Sequence, residues 1–266
     1  MHADQETHCT LRTTTRRNED IRPTKTAHTM NGPLAQLVAL TCHGNAAIHD
    51  TGMAPFFPAN STCKFCDAVT FVELKKNLFG KLKEKIVAAT PDIWMAKLHQ
   101  RGATAVRLRR QRQDRLGLPD RVSAGFVGGG GVWQMEVARS DGQSEFWQSR
   151  WQVWNRQAAE QRIWRVAYGL VETRATQPDM CRTPAAVKAD LQAALLAIHE
   201  FSARHHCEGF TTCFADALVA LEQPSTDIGY HQDLWPPRQL GDDAAALLKA
   251  AMSAWVFGGM GSWNDM

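Results

Sequence analysis

The chain has no stretch that approaches the roughly 18 to 20 consecutive apolar residues needed to span a bilayer, which argues against a membrane role. Its one short apolar run, Leu34–Leu40, is interrupted by Gln36 and follows a candidate internal start at Met30. No basic flank separates Met30 from that run, and Ala39-Leu40-Thr41 before Cys42 makes a poor lipoprotein cleavage pattern. Residues 1–30 carry no apolar run either. They mix Thr and Arg with Asp4, Glu6, Glu19 and Asp20, unlike a secretory signal or an acid-poor transit peptide. They read as a disordered leader, followed by a single domain over residues 31–266.

A disulfide framework is also missing. The seven cysteines are odd in number and irregularly spaced, whereas a secreted disulfide framework is dense, even and short. Reduced thiols in a cytoplasmic, soluble protein are the expectation. No repeat of 20 to 50 residues recurs, so solenoids and propellers are excluded. There is no Gly-x-Ser-x-Gly elbow, Walker loop or kinase motif set. Gly128–Gly131 resembles a phosphate loop in composition only. Such loops lead into a helix N-terminus, and here Val132-Trp133-Gln134-Met135 continues as a strand.

A charge excess of one sign is lacking too: 30 Lys+Arg oppose 27 Asp+Glu, a net +3. This is too little to mark a nucleic-acid binder. The distribution is less even than the total. Residues 97–121 hold eight basic residues against two acids, and residues 208–266 hold eight acids against two basic residues. Attraction between these two blocks within the fold is the simplest expectation.

What is present is a readable series of elements. Ala68–Leu74 is β-branched and aromatic and reads as a strand, with Asn77–Gly80 as a turn and Lys83–Ala88 returning beside it. Thr90-Pro91-Asp92 is a helix start: a capping hydroxyl, a proline whose missing N–H costs nothing there, and an acid at the positive end of the dipole. That helix carries Ile93, Trp94 and Leu98 and stops at Gly102. Period-2 alternation then marks strands at Thr104–Gln111, around Trp133–Val137, along Trp147, Trp151 and Val153, and through Trp164, Val166, Tyr168 and Leu170. Asp141-Gly142 suits a hairpin. After Thr183-Pro184 the chain becomes helical: one helix towards His206, one over Phe210–Leu221, and one from Asp242 to Val256 after a loop at 224–241. Strands first and helices later predict an α+β fold, an antiparallel meander with a C-terminal layer of helices on one face.

Three groups of residues carry candidate chemistry. Cys63-Lys64-Phe65-Cys66 is a Cys-x-x-Cys pair that can chelate zinc, with Cys42 and His43, or His49, as the further ligands a closed site needs. The other reading is two buried, reduced cysteines beside a strand. His199-Glu200 begins a metalloprotease-like pattern, but position 203 is Ala, so the second histidine is absent. Five of the nine tryptophans lie between residues 133 and 164, near Arg107, Arg109, Arg150 and Arg165. Core packing explains most of them. An exposed remainder would bind a protein, or stack bases.

The function that follows is a non-enzymatic protein-interaction module of adaptor or inhibitor type, with Arg107, Arg109, Trp147, Trp151 and Trp263 as binding residues. A zinc- or thiol-dependent enzyme using Cys42, His43, Cys63 and Cys66 is the alternative. RNA or single-strand binding through Arg107, Arg109 and Arg112 is a third reading, weaker because of the near-neutral charge.

Overall fold

Six strands form one sheet in the order β2-β1-β6-β5-β4-β3. They are β1 (Cys66–Lys76), β2 (Leu82–Ala88), β3 (Ala103–Arg112), β4 (Gly131–Arg139), β5 (Gln143–Val153) and β6 (Trp164–Ala175). The chain is seen as a computed structural model that describes residues 32–49, 54–76, 82–112, 131–177, 182–223, 231–237, 239–256 and 263. The proposed leader, the four-glycine run up to Gly130 and the turn at Asn77–Gly80 lie outside the described residues.

The α+β class is as expected, and β3 to β6 do run as an antiparallel meander. The sheet as a whole is mixed, not antiparallel. β1 pairs with β2 in the expected hairpin, but its other edge lies parallel to β6, with Val69 opposite Val166 and Phe71 opposite Tyr168. Burial gives the reason: Val69 and Phe71 are fully buried, β2 pairs with β1 only from Phe71 onward, and β6 supplies backbone partners along the stretch from Cys66 to Glu73. Local patterning defines a strand but not its long-range neighbour.

The register confirms the face assignments. Met135, Trp147, Val166, Tyr168, Phe71 and Val106 look to one side and build the main apolar core. Phe71 stacks on Trp94 at 4.5 Å and on Tyr168 at 5.2 Å. That face is covered mainly by two helices, α1 (Gly32–Ile48) and α2 (Pro91–Gln100); of the C-terminal helices, the last reaches the same core through Leu248 and Met252. Helix α2 starts as read: Thr90 Oγ1 accepts from Ile93 N at 3.3 Å, and Gly102 takes φ +72° after its end.

Helix α1 was not legible. Leu34–Leu40 is buried residue after residue, Gln36 included, so no polar stripe exists to reveal a helical period. Each of its buried Leu and Val side chains contributes about 1.5–3 kcal/mol of apolar burial. The helix also closes one sheet edge. Asn45 Nδ2 donates to Val106 O at 2.7 Å and Val106 N donates to Asn45 Oδ1 at 2.9 Å, satisfying backbone groups that an edge strand leaves open.

The last three helices, α3 (Pro184–Arg204), α4 (Glu208–Glu222) and α5 (Asp242–Ser253), pack on one another around Leu195, Phe210, Phe214, Leu221 and Ala250. They are therefore a bundle of their own, joined to the main core through Leu234, Leu248, Met252 and Trp255. Ala-rich α3 is exposed along most of its length, too little buried to cover a sheet. The expected attraction of opposite charge blocks also takes another form. Arg101, just past the end of α2, bonds Glu145 of β5 at 2.7 Å, and Arg109 of β3 bonds Glu136 of β4 at 2.5 Å.

Candidate functional site

The proposed zinc ligands fall into two separate environments. Cys63 ends a 3-10 turn (Ser61–Cys63) and Cys66 opens β1, both about 1% exposed. Between them lies Gln36, whose Nε2 points at Cys63 Sγ (3.6 Å), Cys66 Sγ (3.7 Å) and Thr62 O (3.1 Å). Its Oε1 accepts from the Tyr168 hydroxyl at 2.8 Å. Burial pushes the Cys63 thiol up to about 12 and the Cys66 thiol to about 11. Both are thiols and not thiolates near neutral pH in this environment. Cys42 is half-buried and pushed up to about 12 by burial as well. Among the described residues no three His, Cys, Asp or Glu converge as metal ligands.

His43 belongs to a different cluster. Its Nε2 donates to Asp233 O at 3.1 Å and its ring meets Phe56 edge-on at 4.9 Å. Asp233 in turn accepts from Ser61 N at Oδ2 (2.7 Å) and from the Ser61 hydroxyl at Oδ1. His231 Nδ1 lies 2.8 Å from Ser61 Oγ. Ser, His and Asp thus meet, yet not in the order of a hydrolase triad. The hydroxyl proton goes to Asp233, so the imidazole donates to Ser61 Oγ instead of removing a proton from it. The Ser61 N–H, which an oxyanion would need, is taken by Asp233. The cluster is a tie between the first turn and the segment before α5. Asn60 Nδ2 reinforces it with a bond to Asp233 O at 2.8 Å. Ser61, His231 and Asp233 were missed by sequence reasoning, and no local signal links residues so far apart in the chain.

Of the expected binding residues, Trp147 is in the core and Trp151 is half-buried against Trp164, on the helix-covered face. Trp263 packs among Phe201, Phe210 and Phe214 of the bundle. Arg107 and Arg109 lie on the opposite sheet face, beside Glu136 and Gln134. The structure does not bring these five together.

That opposite face is the candidate site. Its residues Phe146 and Ala138 belong to neither apolar cluster, and long polar side chains cover it. Glu136, about 1% exposed, accepts from Arg109 Nε at 2.5 Å and Ser144 Oγ at 2.7 Å, with Arg107 Nη1 at 3.6 Å. The Arg174 guanidinium lies over the Phe146 ring at 4.3 Å. A cavity of about 300 Å³ opens here, lined by Arg109, Gln134, Glu136, Phe146, Arg174 and Gln177 among others. Two buried polar atoms on its walls have no hydrogen-bond partner, Gln134 Oε1 and Arg174 Nε. Comparison with family models, curated proteins and solved structures finds no match. No helix of the described residues is long and apolar enough to cross a membrane.

Proposed function

We propose that this protein is a non-enzymatic interaction module that docks an acidic protein partner on the polar face of its sheet. The observation that carries the reading is the cavity in that face, with its guanidinium groups and two buried atoms that make no hydrogen bond, Gln134 Oε1 and Arg174 Nε. Buried groups without a partner are rare in folded proteins and ask for an explanation. Arg is also the side chain best suited to carboxylates at an interface. The thiol and Ser61 clusters favour this reading over an enzyme: the thiols are held protonated, and the serine is bonded as a tether.

The test is affinity capture on the purified protein beside a sheet-face variant, Arg107→Gln with Arg109→Gln, which removes both positive charges but keeps an N–H donor for Glu136, followed by reconstitution with whatever purified protein is retained. The expected result is a partner that binds the unaltered chain and loses at least tenfold in affinity with the variant, whose circular dichroism stays native. Equal binding to both proteins would sink the reading. So would retention of nucleic acid with an affinity that falls steeply with salt.

A further inference from the structure

We infer that the cavity on the polar face receives a carboxylate with an amide N–H beside it, the chemistry found at the C-terminal end of a peptide chain. The inference rests on the interaction reading above and names what the partner presents. It starts from Gln134, 5% exposed on β4. Its Nε2 donates to Gln148 Oε1 at 3.5 Å, which leaves Oε1 as a buried acceptor with no donor. Arg174 supplies the converse. Its Nε is a buried donor without a hydrogen bond, and its ion-pair partner Glu172 stands at 3.9 Å, beyond bonding distance. One wall therefore asks for a donor and the other for an acceptor, preferably an anion.

The surroundings narrow the choice. Glu136 is engaged by Arg109 and Ser144, and Arg109, Arg110 and Arg174 all line the cavity. A cationic donor such as an ammonium is disfavoured beside the Arg109 and Arg174 guanidinium groups, whereas a neutral amide N–H is not; the Arg110 guanidinium lies over Trp133 on the other face of the sheet. A carboxylate suits the guanidinium geometry. At about 300 Å³ the space is at the small end of ligand pockets, the size for a chain end or a small acylated amino acid and not for a large cofactor. Phe146, with Arg174 stacked across it, gives the site an apolar floor.

The experiment titrates the isotope-labelled full chain with three probes and follows the Gln134 side-chain amide and the Arg174 Nε–H resonances. The probes are a pool of N-acetylated tetrapeptides with free carboxylates, the same pool C-terminally amidated, and N-acetylglycine. The expected result is a saturable shift of both resonances with the free acids, lost on amidation. Arg174→Met should weaken binding at least tenfold and Gln134→Leu at least fivefold, with the remaining spectrum unchanged. Affinity of N-acetylglycine equal to that of the pool would assign a free acylated amino acid as the source, and a much weaker one a peptide end. Unmoved resonances at millimolar probe, or equal shifts with the amidated pool, would overturn the inference. Partner capture that survives Gln134→Leu and Arg174→Met but fails with the folded Arg107→Gln, Arg109→Gln variant would overturn it alone and leave the interaction module standing.

Discussion

Gln36 is the one polar side chain fully buried in α1, and every one of its amide atoms is used. Its replacement by Leu would strand the Tyr168 hydroxyl and the Thr62 carbonyl, each a buried group that costs about 1–3 kcal/mol when left unpaired. Gln36→Leu is expected to lower unfolding stability by at least about 2 kcal/mol, read as a shift in urea midpoint at constant slope. The same cluster governs thiol chemistry. With Cys63 and Cys66 buried and their thiols pushed up to about 12 and 11, alkylation by iodoacetamide at pH 8 should leave both untouched in the native protein. Mild urea should release both together. Rapid native labelling of either cysteine would contradict the burial. The Cys-x-x-Cys spacing was visible in the sequence, but its neighbour Gln36 was not, because only the fold sets residue 36 against residues 63 and 66.

Among the elements, α1 is the one whose position depends most on a single small residue. At Gly44 an added Cβ would meet Val106 Cγ2 at 3.0 Å, with Leu98 Cδ1 and a Trp94 ring atom at 3.4 Å. A larger side chain would have to push α1 away from β3 and break the Asn45 bonds to Val106. Gly44→Leu is therefore expected to destabilise by about 2 kcal/mol or more, despite the better helix propensity of Leu, because overpacking of this kind costs about 1–3 kcal/mol before bonds are lost. Thermal unfolding would check it, and an unchanged midpoint would show that α1 does not approach β3 so closely. Capped helices were readable where α1 was not. Thr90 and Thr183 announce α2 and α3 because a cap is a local hydrogen bond: Thr183 Oγ1 accepts from Ala186 N at 3.3 Å. The C-terminal helix starts one residue earlier than a capping Asp242 would have it, with Gly241 as the cap.

Across the whole molecule, the tie through Ser61, His43, His231 and Asp233 joins the sheet half to the bundle half. Burial holds both histidines below their ordinary value of 6.5, in each case against the pull of Asp233. His43 Nδ1 is buried without a partner, so a proton there would find no acceptor. The unfolded chain binds these protons first as pH falls below about 6.5, so folding stability is full above that pH and declines from it towards the lowered folded values. The urea midpoint should fall between pH 7 and pH 5, and His231→Gln with His43→Gln should flatten that fall. A midpoint level over this range would show that the histidines are not buried neutral. The amino-acid sequence by itself determined the α+β class, the strand faces and the capped helix starts, because alternation, caps and turns are local physics. The tertiary structure alone decided the parallel β1–β6 pairing and the covering of the sheet by α1. It alone decided the meeting of Ser61 with His231 and Asp233, and the placing of Gln134 and Arg174 on the walls of one cavity. Contacts between distant residues follow from packing of the whole chain, and no local pattern carries them.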